Sequence, residues 1–290
     1  MGAGAPPTLL ATRRPTSARL PPDCAKLVLV PPTLMSGVVL TGHGGPERLE
    51  WRDDLPVVTP RQGDVLIEVS AAGVNNTDVN TRIGWYDRHD GDDAEDAAAV
   101  DGWSGEPMAF PRVQGADICG RIAATGPGVD TARLGERVIV EPCLTEWHGQ
   151  PLESTWYVGS ECDGGFAEYV CIPARHAHRV DASLSDVELA SFPCSASTAE
   201  NMLTRAAVGD GDTVLVTGAS GGVGSAAIQL ARARGATVVA VAGATKAADV
   251  LALGASRHDE RGADLVQAVG RGAVDVVVDL VGGPTWSTLL

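Results

Sequence analysis

Four glycines, Gly218, Gly221, Gly222 and Gly224, stand within seven residues of the stretch "TVLVTGASGGVGSAAIQLARARGATVVAVAG" (213–243). Glycine lets a backbone approach a pyrophosphate closely, and a helix that starts there offers its free N–H groups and positive dipole end to the anion. The turn as a whole (Gly218, Ala219, Ser220, Gly221, Gly222, Val223 and Gly224) is therefore a candidate cradle for a dinucleotide. A β-carbon at Gly221 or Gly222 is expected to intrude on the phosphate, and a left-handed backbone there gives a second reason for glycine. About 20 residues further on, proteins that bind NAD place an acid against the ribose 2′-hydroxyl. Here that place holds Ala242 and Gly243, followed by Thr245 and Lys246. A missing carboxylate removes repulsion against a 2′-phosphate, and a hydroxyl with an ammonium supplies attraction. NADPH is expected over NADH.

These residues need a strand before the turn, a helix after it and a second strand beyond. The apolar runs "DTVLVTG" and "ATVVAVAG" supply the strands. Between them Val223, Ala226, Ala227, Leu230 and Ala231 recur at helical spacing and give the helix one small, apolar face to press on the sheet. The helical patterns "TKAADVLALG" and "DLVQAVG" and the strand pattern "VDVVVDLVGG" continue the alternation, which implies a parallel, doubly wound sheet. It starts after Asp181, where "SLSDVELASF" carries Ser185 and Glu188 in capping-box spacing. Before it, from Gly37 to about Val180, short β runs bounded by turn residues ("GVVLTG", "DVLIEVSAAG", "GRIAATG", "GERVIV", "GGFAEYVCI") indicate an all-β unit.

The whole chain has 290 residues, 44% of them hydrophobic, enough for a sizeable core and two domains. A formal net charge of -15 argues against general affinity for nucleic acid or anionic membrane. No apolar stretch approaches the roughly 20 residues needed to span a bilayer. The six cysteines lack paired spacing, and reduced thiols in a cytoplasm fit them best. Residues 1–36, rich in Pro, Thr and Ala, are expected to be a disordered extension. The acidic stretch 84–111 is expected to be a solvated loop rather than a substrate or metal lid. His148, His176, His178 and His258 match no motif.

The succession "AAGVNNTDVNTRIGWY", "FPRVQGADICGRI", "GERVIV", "DGGFAEYV", "ASFPCSASTAENML" and "VLVTGASGGVGSAAIQLAR" resembles the medium-chain dehydrogenase/reductase superfamily, and within it the zinc-independent, quinone-oxidoreductase-like branch. The resemblance implies an α/β protein: a GroES-like β-barrel catalytic domain (37–181) against a Rossmann NAD(P)-binding domain (182–290), with the active site between them and a homodimer as the assembly. About four strands stand where a full Rossmann sheet has about six, so that domain is expected to be incomplete at its C-terminal end.

Zinc-dependent members of the superfamily hold their metal with Cys, His and Cys plus a nearby Glu. At the matching positions stand Asn75, Ala116, Cys194 and, for the glutamate, Asp117. One thiolate does not hold a tetrahedral zinc, so no metal site is expected, and Cys194 is read as a small residue lining the cleft. The acceptor should then be electrophilic already, a quinone or an activated alkene or carbonyl. By the same resemblance Asn75 and Thr198 lie near the nicotinamide, and Val281 and Gly282 pass under its ribose. Tyr86 is either the proton source or a rim aromatic, and Asp78 is either structural or catalytic. Two other readings stay open: a non-catalytic NADPH-binding protein of crystallin or trafficking type, and a zinc-dependent alcohol dehydrogenase.

Overall fold

The structure, a computed structural model, describes residues 31–85, 108–283 and 286–289. Its first half is built from β1 (Leu34–Leu40), β2 (Leu49–Pro56), β3 (Asp64–Gly73), the short helix α1 (Asn76–Arg82), β4 (Arg112–Val113), β5 (Asp117–Thr125), β6 (Arg137–Val140), β7 (Cys143–Trp147), β8 (Gln150–Tyr157), β9 (Tyr169–Pro173) and β10 (Ala177–Arg179). A five-stranded sheet runs β10-β6-β5-β3-β9, a three-stranded one β2-β1-β4, and β7-β8 form a hairpin. Every strand pair here is antiparallel. Inward residues of these strands, among them Val65, Ile67, Ile118, Ile122, Val138 and Ile172, make one apolar core.

Each expected β run lies on a strand, but two elements had no apolar signal. Strand β2, "LEWRDDLP", is exposed along nearly its whole length and exists because its backbone pairs with β1. The β7–β8 hairpin turns through His148 and Gly149, both with positive φ (51° and 75°), the geometry of a tight primed turn.

After β10 come α2 (Asp186–Leu189) and α3 (Pro193–Arg205), then β11 (Thr213–Thr217), α4 (Gly222–Ala233), β12 (Thr237–Ala242), α5 (Ala247–Ala252), β13 (Arg257–Glu260), α6 (Leu265–Val269) and β14 (Val276–Val278). The strands form a parallel four-stranded sheet of order β13-β12-β11-β14. The capping box at α2 is present, with the Ser185 hydroxyl accepting from Glu188 N. Ala227, Ile228 and Ala231 of α4 are fully buried, while Val223, Ala226 and Leu230 flank them on the same core, so the small apolar face packs as the spacing predicts. Ile228 widens that face beyond the spacing noted in the sequence.

A polar brace joins the two halves. From β6, Arg137 pairs with Asp186 of α2 at 2.6 Å and donates to the carbonyls of Ala182 and Leu184, fixing the segment that leads to α3. Among the described residues no helix is long and apolar enough to cross a membrane, and the five described cysteines are free thiols.

Candidate functional site

The glycine turn divides into positions with different duties. Helix α4 begins at Gly222, and its cap residue, Gly221 (φ -81°, ψ 176°), makes no side-chain capping bond; no acid stands in the first turn. The first amides of such a helix lack acceptors within it, so this end can receive an anion. A left-handed backbone is found at Gly218 (φ +59°), not at Gly221 or Gly222, which corrects the conformational part of the expectation. Strain therefore calls for glycine at 218, and space does so elsewhere. A β-carbon at Gly222 would stand 3.2 Å from Ser195 Cβ, because the turn and α3 approach closely there. One at Gly224 would strike the carbonyl oxygen of Gly218 and lie 2.7 Å from Ala219 Cα. Ala219 is buried and its amide donates to Val241 O at 3.2 Å, whereas Ser220 is exposed.

The pairing of β11 with β14 places Gly218 beside the segment that follows β14: its virtual β-carbon is 3.4 Å from Leu280 Cβ and from Val281 Cγ2. Asp279 holds that segment. Its carboxylate accepts from the amides of Val281 (3.2 Å) and Gly282 (3.1 Å) and from the Thr217 hydroxyl, which in turn accepts from Leu280 N. Val281 is thus held against the glycine turn with Gly282 fixed next to it, through Asp279, which no sequence motif marks.

At the end of β12, Thr245 and Lys246 lie in an exposed 3-10 turn, and Lys246 Nζ is 3.3 Å from Asp249. The amide of Arg261 donates to Ala242 O at 3.0 Å, which brings a second cation's backbone to the same strand end.

The other half of the site is a hydrogen-bonded chain. Asn75 stands at the head of α1 and donates from Nδ2 to Asp117 Oδ2 (2.7 Å); Asp117 Oδ1 accepts from Cys194 N (2.6 Å) at the start of α3; and Cys194 Sγ lies 3.0 Å from the Tyr157 hydroxyl at the end of β8. Thr198, one turn further along α3, donates to Cys194 O at 2.7 Å. Burial raises the carboxyl of Asp117 against its bonds to Asn75 and Cys194. It also pushes the Cys194 thiol up and holds the Tyr157 hydroxyl far above its usual range, so all three keep protons more readily than in water. Of the four positions that hold zinc in metal-dependent relatives, only Asp117 and Cys194 have ligand chemistry, and their polar atoms are engaged in these bonds. Among the described residues no group of three or more His, Cys, Asp or Glu is arranged to hold a metal. Tyr86 lies outside the described residues.

Asp78 sits below this chain, accepting from Asn75 N at 2.8 Å. Desolvation raises its pKa to about 6, outweighing its backbone bonds to Asn75, Gly115 and Ala116, with the nearby Asp117 adding to the rise. Between pH 4 and 6 its carboxyl is then protonated in the fold and ionised in the unfolded chain. Its contribution to stability falls as pH rises through that window, by roughly 3 kcal/mol in all. Asp78→Asn is expected to flatten this limb of the urea-denaturation free energy measured from pH 4 to 7; an unchanged slope would clear Asp78 of the effect.

Of the unassigned histidines, His148 pairs with the buried Asp64 at 2.5 Å, His176 accepts from Thr145 N, and His258 Nε2 is 3.3 Å from Ala242 O.

Comparison with known proteins agrees with this architecture. Residues 61–182 match the alcohol dehydrogenase GroES-like domain family. Human quinone oxidoreductase is 29% identical over 256 residues, 86% of this chain and 67% of that protein. Acryloyl-coenzyme A reductase of Metallosphaera sedula is 31% identical over 265 residues, 88% of this chain and 73% of that one. The crystal structure of a putative alcohol dehydrogenase from Sinorhizobium meliloti superposes with a TM-score of 0.78 at 49% identity, covering 89% of this chain and 72% of that one. A barrel joined to a parallel nucleotide-type sheet, with a glycine turn facing the junction, defines a nicotinamide-dependent oxidoreductase architecture. The chain belongs to the medium-chain dehydrogenase/reductase superfamily, in its quinone-oxidoreductase-like branch.

Proposed function

We propose that the protein is an NADPH-dependent reductase that transfers hydride to a quinone or to an activated alkene or carbonyl without catalytic zinc. The observation that carries this reading is the Asn75–Asp117–Cys194–Tyr157 chain. Three of the four positions that hold zinc in the zinc-dependent relatives, Asn75, Asp117 and Cys194, are engaged in its hydrogen bonds, and Ser195, next to Cys194, lies against the first residue of α4. The turn suits a pyrophosphate because α4 starts at Gly222 with no side-chain cap and no acid in its first turn, and because glycine at 222 keeps a side chain out of the close approach to Ser195. Residues 182–290 are read as the cofactor half and 37–181 as the catalytic half.

When bound, the dinucleotide supplies a hydride. The chain's own residues supply the rest: α4 amides hold the pyrophosphate, the Asp279-anchored segment at Val281 and Gly282 lies under the nicotinamide ribose, and Thr198 and Asn75 border the ring. Lys246, with Thr245, takes the 2′-phosphate. Lys246→Ala should weaken NADPH binding by about 1 to 3 kcal/mol, as for a charge-assisted bond, and leave NADH nearly unaffected. The lower end is favoured because Lys246 must first release Asp249, an exposed pair of little worth. Equal loss for both cofactors refutes the phosphate role.

Steady-state oxidation of NADPH against a panel of quinones and α,β-unsaturated carbonyls, with and without a chelator, tests the whole reading. Turnover that survives chelation supports it. NADPH binding without turnover across the panel supports a non-catalytic protein instead, and turnover abolished by the chelator supports a zinc enzyme.

A further inference from the structure

We propose that Arg261 is a specificity-determining residue of the cofactor site: its guanidinium binds the 2′-phosphate of NADPH from the β13 side and contributes more to the preference for a phosphorylated cofactor than Lys246 does. The proposal rests on the NADPH reading above. A parallel sheet takes its ligand at the carboxyl ends of its strands, and the ribose 2′ position lies at the end of the second strand of the nucleotide-binding unit. Here that end is Ala242 and Gly243. Ala242 O accepts from Arg261 N at 3.0 Å, so the main chain of Arg261 is tied to that strand end.

Two features of the fold set Arg261 there. Strand β13 pairs with β12 as far as Glu260 against Ala242, and the chain then turns at once. Ala263 N donates to Glu260 O at 3.0 Å and Gly262 has φ +89°, so Arg261 and Gly262 are the central residues of a β-turn. The root of the side chain is held by this turn and by the bond to Ala242, while the side chain itself is exposed. A phosphate that keeps part of its hydration calls for an exposed cation beside open space rather than a closed cavity. The space is there: a β-carbon at Gly243 would meet no atom within 4 Å.

The charges around this strand end decide which cation serves. Lys246 Nζ is engaged with Asp249 at 3.3 Å, and Arg257 with the buried carboxylate of Asp259 at 2.7 Å. The Arg261 guanidinium has no hydrogen bond or ion pair to surrender among the described residues. It is planar, always charged and able to hold a phosphate through two parallel N–H bonds, where an ammonium acts as a point charge. His258 adds a third basic group, with Nε2 3.3 Å from Ala242 O. Glu260 is the acid that opposes them, exposed and in register with Ala242. A carboxylate turned to solvent repels weakly through water, whereas Arg261 bonds the phosphate directly.

The test is calorimetric titration of the full chain with adenosine 2′,5′-bisphosphate and with 5′-AMP, two cofactor fragments that differ by the 2′-phosphate alone. Arg261→Gln should weaken the bisphosphate about 10- to 100-fold and leave 5′-AMP within about twofold of wild type. Arg261→Lys, which keeps the charge without the planar fork, should recover part of the loss. Lys246→Ala should cost less than Arg261→Gln, and Glu260→Gln should tighten the bisphosphate. All four side chains are exposed, so each variant should melt as wild type does. If wild type prefers the bisphosphate but Arg261→Gln binds it within threefold of wild type, loses 5′-AMP equally, or costs less than Lys246→Ala, the role of Arg261 is overturned and the NADPH reading stands. If wild type binds neither fragment, or binds both alike, the NADPH reading falls and the role of Arg261 falls with it; loss of 5′-AMP in Glu260→Gln would then show that carboxylate holding a free 2′-hydroxyl.

Discussion

Gly224→Ala is expected to lower the stability of the protein by about 3 kcal/mol, an overpacking cost, and so to lower its melting temperature by roughly 6 to 12 °C. Two effects oppose each other at this position. Alanine is the better helix former by about 1 kcal/mol, and Gly224 lies within α4, so propensity alone predicts a gain. Against it, the new methyl would press on the Gly218 carbonyl and on Ala219 Cα at 2.7 Å, both backbone atoms of the preceding turn. Backbone cannot swing aside as a long side chain can. Relief requires α4 to lift off β11, where Ala219, Ala227 and Ile228 share one core, and the packing term wins. The melt is to be recorded without cofactor; a variant that melts at or above wild type shows that the helix and turn are not in the close contact described.

That cost also shows which part of the site was legible in sequence. The turn was found because glycine has few reasons to recur, and strand, glycine run and helix together limit those reasons to phosphate approach and close packing. Its four glycines could not be sorted by pattern. Gly218 answers to a positive φ, Gly222 to the close approach of Ser195, and Gly224 to contact with the turn itself, distinctions that depend on atoms brought in from α3 and from the backbone five and six residues away. Asn75, Asp117 and Cys194 were visible through the superfamily motifs that contain them. Tyr157 was not: it ends a hairpin strand, "QPLESTWY", whose mostly exposed residues show no alternation, and only folding carries its hydroxyl to Cys194, 37 residues on. Strand β2 was missed for the same physical reason, because its order comes from backbone pairing with β1 and leaves no apolar period. Asp279 had a weak signal, an acid ending an apolar strand run, but its duty is to accept main-chain N–H groups, and side-chain pattern does not report that.

Gly222→Val should weaken NADPH binding by at least 100-fold, equivalent to about 2.7 kcal/mol, while leaving the cofactor-free melting temperature within about 3 °C of wild type, less than the shift a lost core contact gives. Gly222 is the first residue of α4, where its amide belongs to the free end of the helix and where valine meets no preceding turn to crowd its branched carbon. The added β-carbon meets Ser195 Cβ at 3.2 Å and its Oγ at 3.4 Å, a contact that a shift of a few tenths of an ångström relieves. The two further methyls have no such escape. On the proposed reading they crowd the pyrophosphate at the α4 amides, and hydrogen bonds from those amides to a charged phosphate are worth about 1.5 to 3 kcal/mol each. Gly222→Ala, which adds the first carbon alone, should fall between wild type and valine in affinity, and this graded series separates crowding of the pyrophosphate from a general loss of structure. Fluorescence titration with NADPH and a melt of each variant decide the matter. If Gly222→Val binds NADPH within threefold of wild type, the pyrophosphate does not lie at this turn, and the assignment of α4 as the cofactor's anchor falls with it.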